Sequence, residues 1–183
     1  MLQIRSVFVA VRKNPSSFHK KRRTYLMHYV VGFQFNEDGT RVALIRKGRP
    51  EWQSGLLNGI GGHVERSESA PEAMFREFKE EAGVYCTRWR EFASVRTWTG
   101  SLVAFYSSFT DQVELVRTTT DEEVKVFNVV DLPALKEQVV PNLTWLIPLA
   151  LTMRQDRVGG DGRESASLMV VTEMPPISGL RKT

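Results

Sequence analysis

The amino-acid sequence predicts an α/β domain in which several strands and two helices share one core. Residues 41–46 and 102–109 are rich in apolar and β-branched side chains, which is typical of strands. Residues 69–82 carry the capping residues and the length of a helix. The chain has 183 residues, of which 42% are hydrophobic, enough for one core but not for two full domains. We therefore expect a single domain with a tail at each end.

The predicted domain begins with strands. Residues 1–11 contain alternating valines and indicate a short strand. Residues 25–35 indicate a longer one, and the polar, glycine-containing residues 36–39 predict a turn before a return strand at 41–46. Residues 48–61 show no sustained hydrophobic period, so we expect a long surface loop there, and long loops are often functional.

A helix is predicted after this loop. Ser69 precedes a proline, and Glu72 follows three residues later, which together form the signature of a capping box. The helix should end near Ala82, because Gly83 readily adopts the left-handed conformation that often follows a helix.

Further strands and a second helix complete the predicted core. The strands are expected at residues 92–97, 102–109 and 124–130. The second helix should follow Pro141 and carry Trp145, and residues 168–172 would add an edge strand. We expect about the last ten residues to be mobile.

Charge and composition suggest how the chain is divided. We expect a basic N-terminal extension at residues 1–23, the main domain at 24–155, and a partly mobile C-terminal extension at 156–183. Residues 1–36 hold seven Lys or Arg and no Asp or Glu, whereas the remainder has 18 basic and 21 acidic residues. The basic start is compatible with a solvated arm, a nucleic-acid contact or an organelle transit segment.

Composition also excludes several classes of function. Cys86 is the only cysteine, so the chain can form neither an internal disulfide nor a Cys/His zinc site. No apolar stretch reaches the roughly 20 residues that a membrane helix needs. The lone cysteine and the lack of a signal peptide lead us to expect a soluble, cytoplasmic protein without a membrane partner.

Three carboxylates share one face of the predicted helix. Glu77, Glu80 and Glu81 are spaced i, i+3 and i+4, which places them within an arc of about 100°. A neighbouring arc can face the core and consists of Met74, Phe78 and Ala82. Arg76 can hold one carboxylate in an ion pair, and oxygen-rich surroundings suit Mg²⁺ or Mn²⁺. The alternative is an ordinary solvated helix face.

Residues 62–84, GHVERSESAPEAMFREFKEEAGV, resemble the Nudix box, G-x5-E-x7-R-E-U-x-E-E-x-G-U, in which U is apolar. The segment matches at every specified position, namely Gly62, Glu68, Arg76, Glu77, Phe78, Glu80, Glu81, Gly83 and Val84. The resemblance implies a Nudix hydrolase with a Nudix fold, an α/β/α sandwich around a mixed β-sheet. It covers the rest of the domain loosely and leaves out both tails.

The resemblance also implies roles for individual residues. In the family, the residues that match Glu77, Glu80 and Glu81 bind metal, and the glycine that matches Gly62 can contribute its carbonyl oxygen. The arginine that matches Arg76 orients a glutamate.

The general base varies among Nudix enzymes. It is either a box glutamate, which here is Glu77 or Glu80, or an acid from a later loop. In this chain the later candidates for a base or an additional metal ligand are Asp121, Glu122 and Glu123, although a solvated acidic turn is an alternative.

The substrate is harder to predict. Asn58 precedes glycines as it does in Nudix enzymes that clean the nucleotide pool, where the asparagine contacts an oxidised purine; the alternative is that it caps a turn. Trp52 and Trp145 could stack on a base, and Arg46 and Lys47 could contact phosphate, although all four also suit structural roles.

We therefore expect Mg²⁺-dependent hydrolysis of a nucleoside triphosphate, with 8-oxo-dGTP as one candidate, to the monophosphate and pyrophosphate. The alternative enzyme is an ADP-ribose or dinucleotide pyrophosphatase. A noncatalytic nucleotide- or RNA-binding module would use the basic residues 20–23, but such a module has no need for the complete set of carboxylates. We expect a nucleotide ligand and no nucleic-acid partner, and a homodimer is one option because many relatives dimerise.

Overall fold

The computed structural model describes residues 8–11, 27–96, 101–135, 138–155 and 168–171. Three predictions lie outside these residues: the first seven positions of the strand predicted at residues 1–11, the tail predicted at 12–23, and the mobility of the last ten residues.

Eight strands and two α-helices are present in this part of the chain. The strands are β1 (Phe8–Val11), β2 (Met27–Phe35), β3 (Arg41–Arg46), β4 (Leu57–Asn58), β5 (Arg90–Arg96), β6 (Leu102–Phe109), β7 (Val124–Asn128) and β8 (Leu168–Val171). The helices are α1 (Ala70–Ala82) and α2 (Leu143–Gln155). Three short 3₁₀ helices occupy Glu51–Gln53, Asp111–Leu115 and Val129–Leu135.

All eight strands belong to one mixed sheet. Its order is β1-β8-β5-β6-β2-β3-β4, and β7 pairs with β3 beside this path. The pairs β2–β6 and β5–β8 are parallel, and the other pairs are antiparallel. The predicted mixed sheet is confirmed.

The sheet lies between the two helices because its strands alternate apolar side chains between the two faces. In β3, Ala43 and Ile45 join a core that includes Phe78 of α1, whereas Val42 and Leu44 join a second core that includes Leu146 of α2. This arrangement confirms the predicted α/β/α sandwich.

The ends of α1 follow the predicted capping residues. The Glu72 carboxylate accepts hydrogen bonds from the Ser69 backbone N–H at 2.7 Å and from its hydroxyl at 2.6 Å. Gly83 follows the helix with φ of +69° and donates its N–H to the Lys79 carbonyl at 3.0 Å. The predicted start and end of the helix are therefore confirmed.

The prediction of a surface loop at residues 48–61 was wrong for its second half. Leu57 is buried in β4, where it exchanges backbone hydrogen bonds with Gln138 and Val140, and Ile60 is fully buried. These partners are remote in sequence, and β4 has only two residues, too few to show a period.

The remaining strand predictions need smaller corrections. The strand predicted from residue 92 begins at Arg90, and the one predicted to end at residue 130 gives way after Asn128 to a 3₁₀ helix. Strand β8 is not an edge strand, because it lies between β1 and β5. The first and last described strands thus pair with each other, whereas the division of the chain into extensions and domain stays a prediction.

Candidate active site

Helix α1 holds its acidic face against a cleft because its apolar face is anchored in the core. Met74, Phe78 and Ala82 are fully buried, as their spacing predicted. On the acidic face, the side chains of Glu77 and Glu81 are largely enclosed, whereas that of Glu80 is 57% exposed.

Arg76 binds three glutamates, which with it form the group that we call the Arg76 cluster: Arg76, Glu68, Glu77 and Glu80. Nε and Nη2 donate to the two Glu68 oxygens at 3.0 and 2.6 Å. Nη1 donates to Glu77 at 2.9 Å and to Glu80 at 3.2 Å, and Nη2 also donates to the His63 carbonyl at 3.1 Å. All five N–H donors of the guanidinium are therefore used.

Within the cluster, the pKa values of Glu68 and Glu77 are shifted in opposite directions. Hydrogen bonding to Arg76 holds the pKa of Glu68 below its usual value. Burial raises the pKa of Glu77, although the nearby Arg76 charge acts in the opposite direction. The hydrogen bonds to Glu68 and the charge of Glu77 raise the pKa of Arg76 itself, so this group stays cationic. The role of Arg76 in orienting a catalytic glutamate stays a prediction.

The backbone at Gly61 and Gly62 lies against the carboxylates of Glu81 and Glu77. Gly61 has φ of +152°, and a Cβ built there would lie 2.2 Å from the Val30 carbonyl oxygen, so only glycine fits without strain. Its N–H donates to Glu81 at 3.1 Å. A Cβ at Gly62 would lie 2.5 Å from a Glu77 carboxylate oxygen. Gly62 therefore leaves the space in which the Glu77 carboxylate lies, whereas Gly61 allows a close approach to Val30 and binds Glu81 through its N–H.

A second cation-centred group, the Lys47 cluster, consists of Lys47, Glu81 and Glu122. The Lys47 ammonium lies 3.8 Å from Glu81 and forms a close ion pair with Glu122. The Glu122 carboxylate also accepts the backbone N–H groups of Gly48 at 2.6 Å and Arg49 at 3.3 Å. Burial raises the pKa of Glu81 to about 7, whereas the Lys47 charge and the Gly61 N–H lower it.

The loop before β7 is attached to the end of α1, and this attachment brings Glu122 to the box. The Thr119 hydroxyl donates to the Glu80 carbonyl, and the Arg117 N–H donates to the Ala82 carbonyl at 3.0 Å. Glu122, which lies three residues beyond Thr119, is consequently placed opposite Glu81.

A pocket of about 220 Å³ opens between these groups. Its lining residues are Lys47, Arg49, Gly61, Gly62, Glu81, Thr120, Asp121 and Glu122. It thus combines two cationic residues, three acidic residues and the backbone of the glycine pair.

The structure distinguishes between the three late acidic candidates. Glu122 is 7% exposed and lies in the pocket beside Glu81. Asp121 also lines the pocket but is exposed. Glu123 pairs with Lys125 at 2.6 Å and lies 3.8 Å from Arg46, and it is not among the lining residues.

Of the candidate substrate-binding residues, Lys47 lines this pocket, whereas Asn58, Trp52, Arg46 and Trp145 are not among its lining residues. Asn58 is 8% exposed; its Oδ1 accepts the Gly59 N–H at 2.8 Å, and its Nδ2 donates to Gln53 at 3.0 Å. This geometry is the turn-capping alternative. Arg46 donates to the Gly55 carbonyl at 2.7 Å, whereas Trp52 on the first 3₁₀ helix is 67% exposed and Trp145 on α2 is 37% exposed. Their contact with substrate stays a prediction.

Sequence reasoning missed the position of Lys47 at the centre of a cluster. The sequence indicates Lys47 only as a phosphate contact, because the partners of Lys47, Glu81 and Glu122, are remote from it in sequence. The available signal was a lysine directly after a buried strand, followed by Gly48, whose N–H meets Glu122.

The donor set fits a hard divalent cation by its chemistry. Glu77, Glu80, Glu81 and Glu122 supply carboxylate oxygens, and the Gly62 carbonyl, which accepts the Val30 N–H at 2.9 Å, retains a second lone pair. Among the described residues, no three acidic, histidine or cysteine side chains already converge as a metal cage. The carboxylates are instead held by Arg76 and Lys47.

The α/β/α sandwich, with carboxylates and cations beside one cleft, defines a class of domain that can hold a divalent cation next to an anion. The sequence model of the NUDIX domain matches residues 26–146, and the chain therefore belongs to the Nudix hydrolase family. That family is characterised in general by pyrophosphohydrolase activity and divalent metals. A comparison with curated proteins gave no match.

Solved structures share the fold. A MutT structure from work on Aliivibrio salmonicida and Vibrio cholerae is 20% identical, with a TM-score of 0.55, over 69% of this chain and 96% of that one. The NUDIX domain of Shewanella oneidensis NrtR, in complex with ADP ribose, is 19% identical, with a TM-score of 0.58, over 72% and 88%. Both α-helices of the described part of the chain have 13 residues, which is fewer than a membrane span requires.

Proposed function

We propose that this chain is a Mg²⁺-dependent hydrolase that cleaves a nucleoside triphosphate, with 8-oxo-dGTP as one candidate, to the monophosphate and pyrophosphate. One observation carries the proposal: the box carboxylates are fixed beside a pocket that also contains Glu122 and the cations Lys47 and Arg49. A site that must bind both a metal ion and a polyphosphate needs negative and positive groups close together.

Glu77, Glu80, Glu81 and the Gly62 carbonyl would hold the metal ion, with Glu122 as an additional ligand. When bound, a divalent cation neutralises charge on the phosphate oxygens and increases the acidity of water. Mg²⁺ or Mn²⁺ suits this site because every donor is oxygen.

The residues of the chain have complementary roles in this proposal. Arg76 fixes the orientation of Glu77 and Glu80, of which one would accept the proton from the attacking water. Glu122 is the alternative base from outside the box, and its position in the pocket favours it over Glu123. Lys47 and Arg49 line the pocket and would compensate the negative charge of the phosphates.

The identity of the substrate is the most specific part of the proposal. A triphosphate follows from the sequence resemblance around Asn58, but the Asn58 amide already bonds to Gln53 and Gly59. ADP-ribose is the second candidate, since the structurally similar NrtR domain binds it. Both substrates contain the pyrophosphate linkage that the cleft would hold.

A substrate panel tests the proposal. The purified protein is incubated with Mg²⁺ and the common dNTPs, 8-oxo-dGTP, ADP-ribose, NADH and dinucleoside polyphosphates, and the products are resolved by chromatography. Glu80→Gln and Glu81→Gln remove candidate metal ligands. Glu65→Gln is the matched control, because Glu65 is an exposed carboxylate in the same segment but outside the specified box positions.

The proposal predicts release of pyrophosphate from a triphosphate, with turnover lost in both site variants and without metal but retained in Glu65→Gln. Cleavage of ADP-ribose alone would replace the first substrate with the second. Absence of turnover on the whole panel, with nucleotide or RNA binding retained, would contradict the hydrolase assignment and favour the noncatalytic module.

A further inference from the structure

Lys47 is held less firmly than Arg76, the other cation that binds box carboxylates. Its ammonium has three N–H donors, and within the described part of the chain only the Glu122 carboxylate accepts a hydrogen bond from it. The Glu81 carboxylate lies 3.8 Å from the ammonium, which is too far for a hydrogen bond. Arg76 instead uses all five of its donors. Lys47 can therefore leave its partners more easily than Arg76 can.

The two carboxylates beside Lys47 are also positioned by backbone groups. Glu81 Oε2 accepts the Gly61 N–H at 3.1 Å, and Glu122 Oε1 accepts the Gly48 N–H at 2.6 Å. The other oxygen of each carboxylate, Oε1 of Glu81 and Oε2 of Glu122, is the one that pairs with the Lys47 ammonium. If the ammonium left, the backbone would therefore still hold both carboxylates, and each would have one oxygen free for another cation.

The charge of this carboxylate pair suits a divalent cation better than an ammonium group. The side chains of Glu81 and Glu122 are 15% and 8% exposed, so water does little to screen the repulsion between them. Lys47 supplies one positive charge for two carboxylates, whereas Mg²⁺ or Mn²⁺ supplies two and prefers oxygen ligands. Lys47 and a metal ion would therefore compete for the same two oxygens.

The backbone of Lys47 is fixed, so that only its side chain can move. Its N–H donates to the Leu56 carbonyl at 2.9 Å, and its carbonyl accepts the Gly55 N–H at 2.7 Å. The side chain is a flexible four-carbon stem that ends in a compact charge. Since Lys47 and Arg49 line the same pocket, a displaced ammonium would stay within reach of a ligand there.

We propose that Lys47 competes with the divalent cation for Glu81 and Glu122, and that it leaves both carboxylates when the metal ion binds. The inference rests on the metal site of the proposed function and adds a regulation to it. Without metal, Lys47 compensates the two carboxylates and is withheld from other anions. In the loaded site, Lys47 is free to bind a substrate phosphate, so that metal binding prepares the pocket for the polyphosphate.

Chemical labelling of the wild-type chain tests the displacement directly. The protein is treated briefly with sulfo-NHS acetate, either with a chelator or with Mg²⁺, and the acetylation of each lysine is measured by mass spectrometry. Acetylation of Lys47 should increase several-fold with Mg²⁺. Lys125 is the internal reference and should not change, because it pairs with Glu123 outside the pocket. A metal ion that only stabilised the fold would decrease the labelling of Lys47.

Mn²⁺ binding, measured by electron paramagnetic resonance, tests the competition. Lys47→Met keeps an unbranched side chain but has no charge, and it should bind Mn²⁺ about tenfold more tightly, because no charge-assisted hydrogen bond has to be broken first. Damage to the fold would weaken binding instead. Lys125→Met, on β7, removes the same charge outside the pocket and should bind as the wild type does. Circular dichroism verifies that both variants fold, and the labelling result decides alone if Lys47→Met does not.

The outcomes separate this inference from the function on which it rests. If the wild type binds Mn²⁺, the inference is overturned by unchanged labelling of Lys47, or by a folded Lys47→Met variant that binds no more tightly than Lys125→Met. Either result would leave the metal site itself in place. Absence of Mn²⁺ binding in the wild type and in Lys47→Met would overturn both the metal site and the inference.

Discussion

Two cations, Arg76 and Lys47, hold the acidic side chains of the cleft. They differ in how far their partners are from them in sequence. Arg76 binds glutamates that are at most eight residues away. Lys47 instead meets Glu122, from which it is separated by 75 residues. The first cluster is built within one loop and helix, whereas the second requires strands β3 and β7 to lie side by side.

This difference indicates how the two halves of the site depend on the fold. The Arg76 cluster needs only α1 and the loop before it, so it should form whenever this segment is folded. The Lys47 cluster joins the box to the loop before β7, and it should therefore form only when the whole domain is assembled. A variant can disturb one cluster while the other stays intact, and the following predictions use that independence.

The largest effect is expected from Arg76→Ala. It leaves the enclosed carboxylates of Glu68 and Glu77 without a cation, which should lower the free energy of unfolding by about 2–3 kcal/mol. Turnover should fall by about 100-fold, because the glutamates lose the group that orients them. Urea denaturation and steady-state kinetics measure the two effects.

Arg76→Lys is the companion variant, since it keeps the charge but loses the planar fork. It should recover part of the stability and little of the rate. Equal rates in Arg76→Lys and the wild type would show that Arg76 supplies charge alone.

A smaller effect is expected from Glu122→Gln in the Lys47 cluster. It keeps the size of the side chain and removes the charge that pairs with Lys47, so turnover should fall by about tenfold. The neighbouring Glu123→Gln is the control, because Glu123 pairs with Lys125 outside the pocket. Kinetics that change equally in both variants would refute the assignment of Glu122 to the site.

The smallest effect should appear at Glu91, whose pKa is raised by burial, unlike the Glu68 pKa that Arg76 lowers. In the unfolded chain, Glu91 loses its proton as the pH rises above its usual pKa of 4.5. In the folded protein, Glu91 keeps the proton until the pH passes its raised pKa. Stability is therefore lost as the pH rises through this window. Glu91→Gln should be more stable than the wild type at pH 7 and equal to it at pH 4.

Thermal unfolding across this pH range checks the prediction. A Glu91→Gln variant that is less stable than the wild type at pH 7 would show that the ionised carboxylate is stabilising in the folded protein.

The sequence could predict what depends on local geometry. The capping residues Ser69 and Glu72 and the terminal Gly83 determine the limits of α1, and helical spacing groups Glu77, Glu80 and Glu81. Arg76 lies close enough along the helix to bind Glu77 and Glu80. The mixed sheet and the sandwich were also predicted correctly.

Features that depend on distant partners could not be predicted in the same way. Leu57 is buried in β4 only because Gln138 and Val140 bond to its backbone. The position of Glu122 in the pocket depends on the loop before β7, which is held by the hydrogen bond of Thr119 to Glu80 and by the pairing of β7 with β3.

The most direct test of the central claim is Mn²⁺ binding, measured by electron paramagnetic resonance in the wild type, Glu81→Gln and Glu123→Gln. The account predicts that Glu81→Gln binds Mn²⁺ much more weakly than the wild type, because Glu81 is the box carboxylate that lines the pocket together with Glu122. Glu123→Gln should bind as the wild type does. Unchanged Mn²⁺ affinity in Glu81→Gln would contradict the placement of the metal site in this cleft.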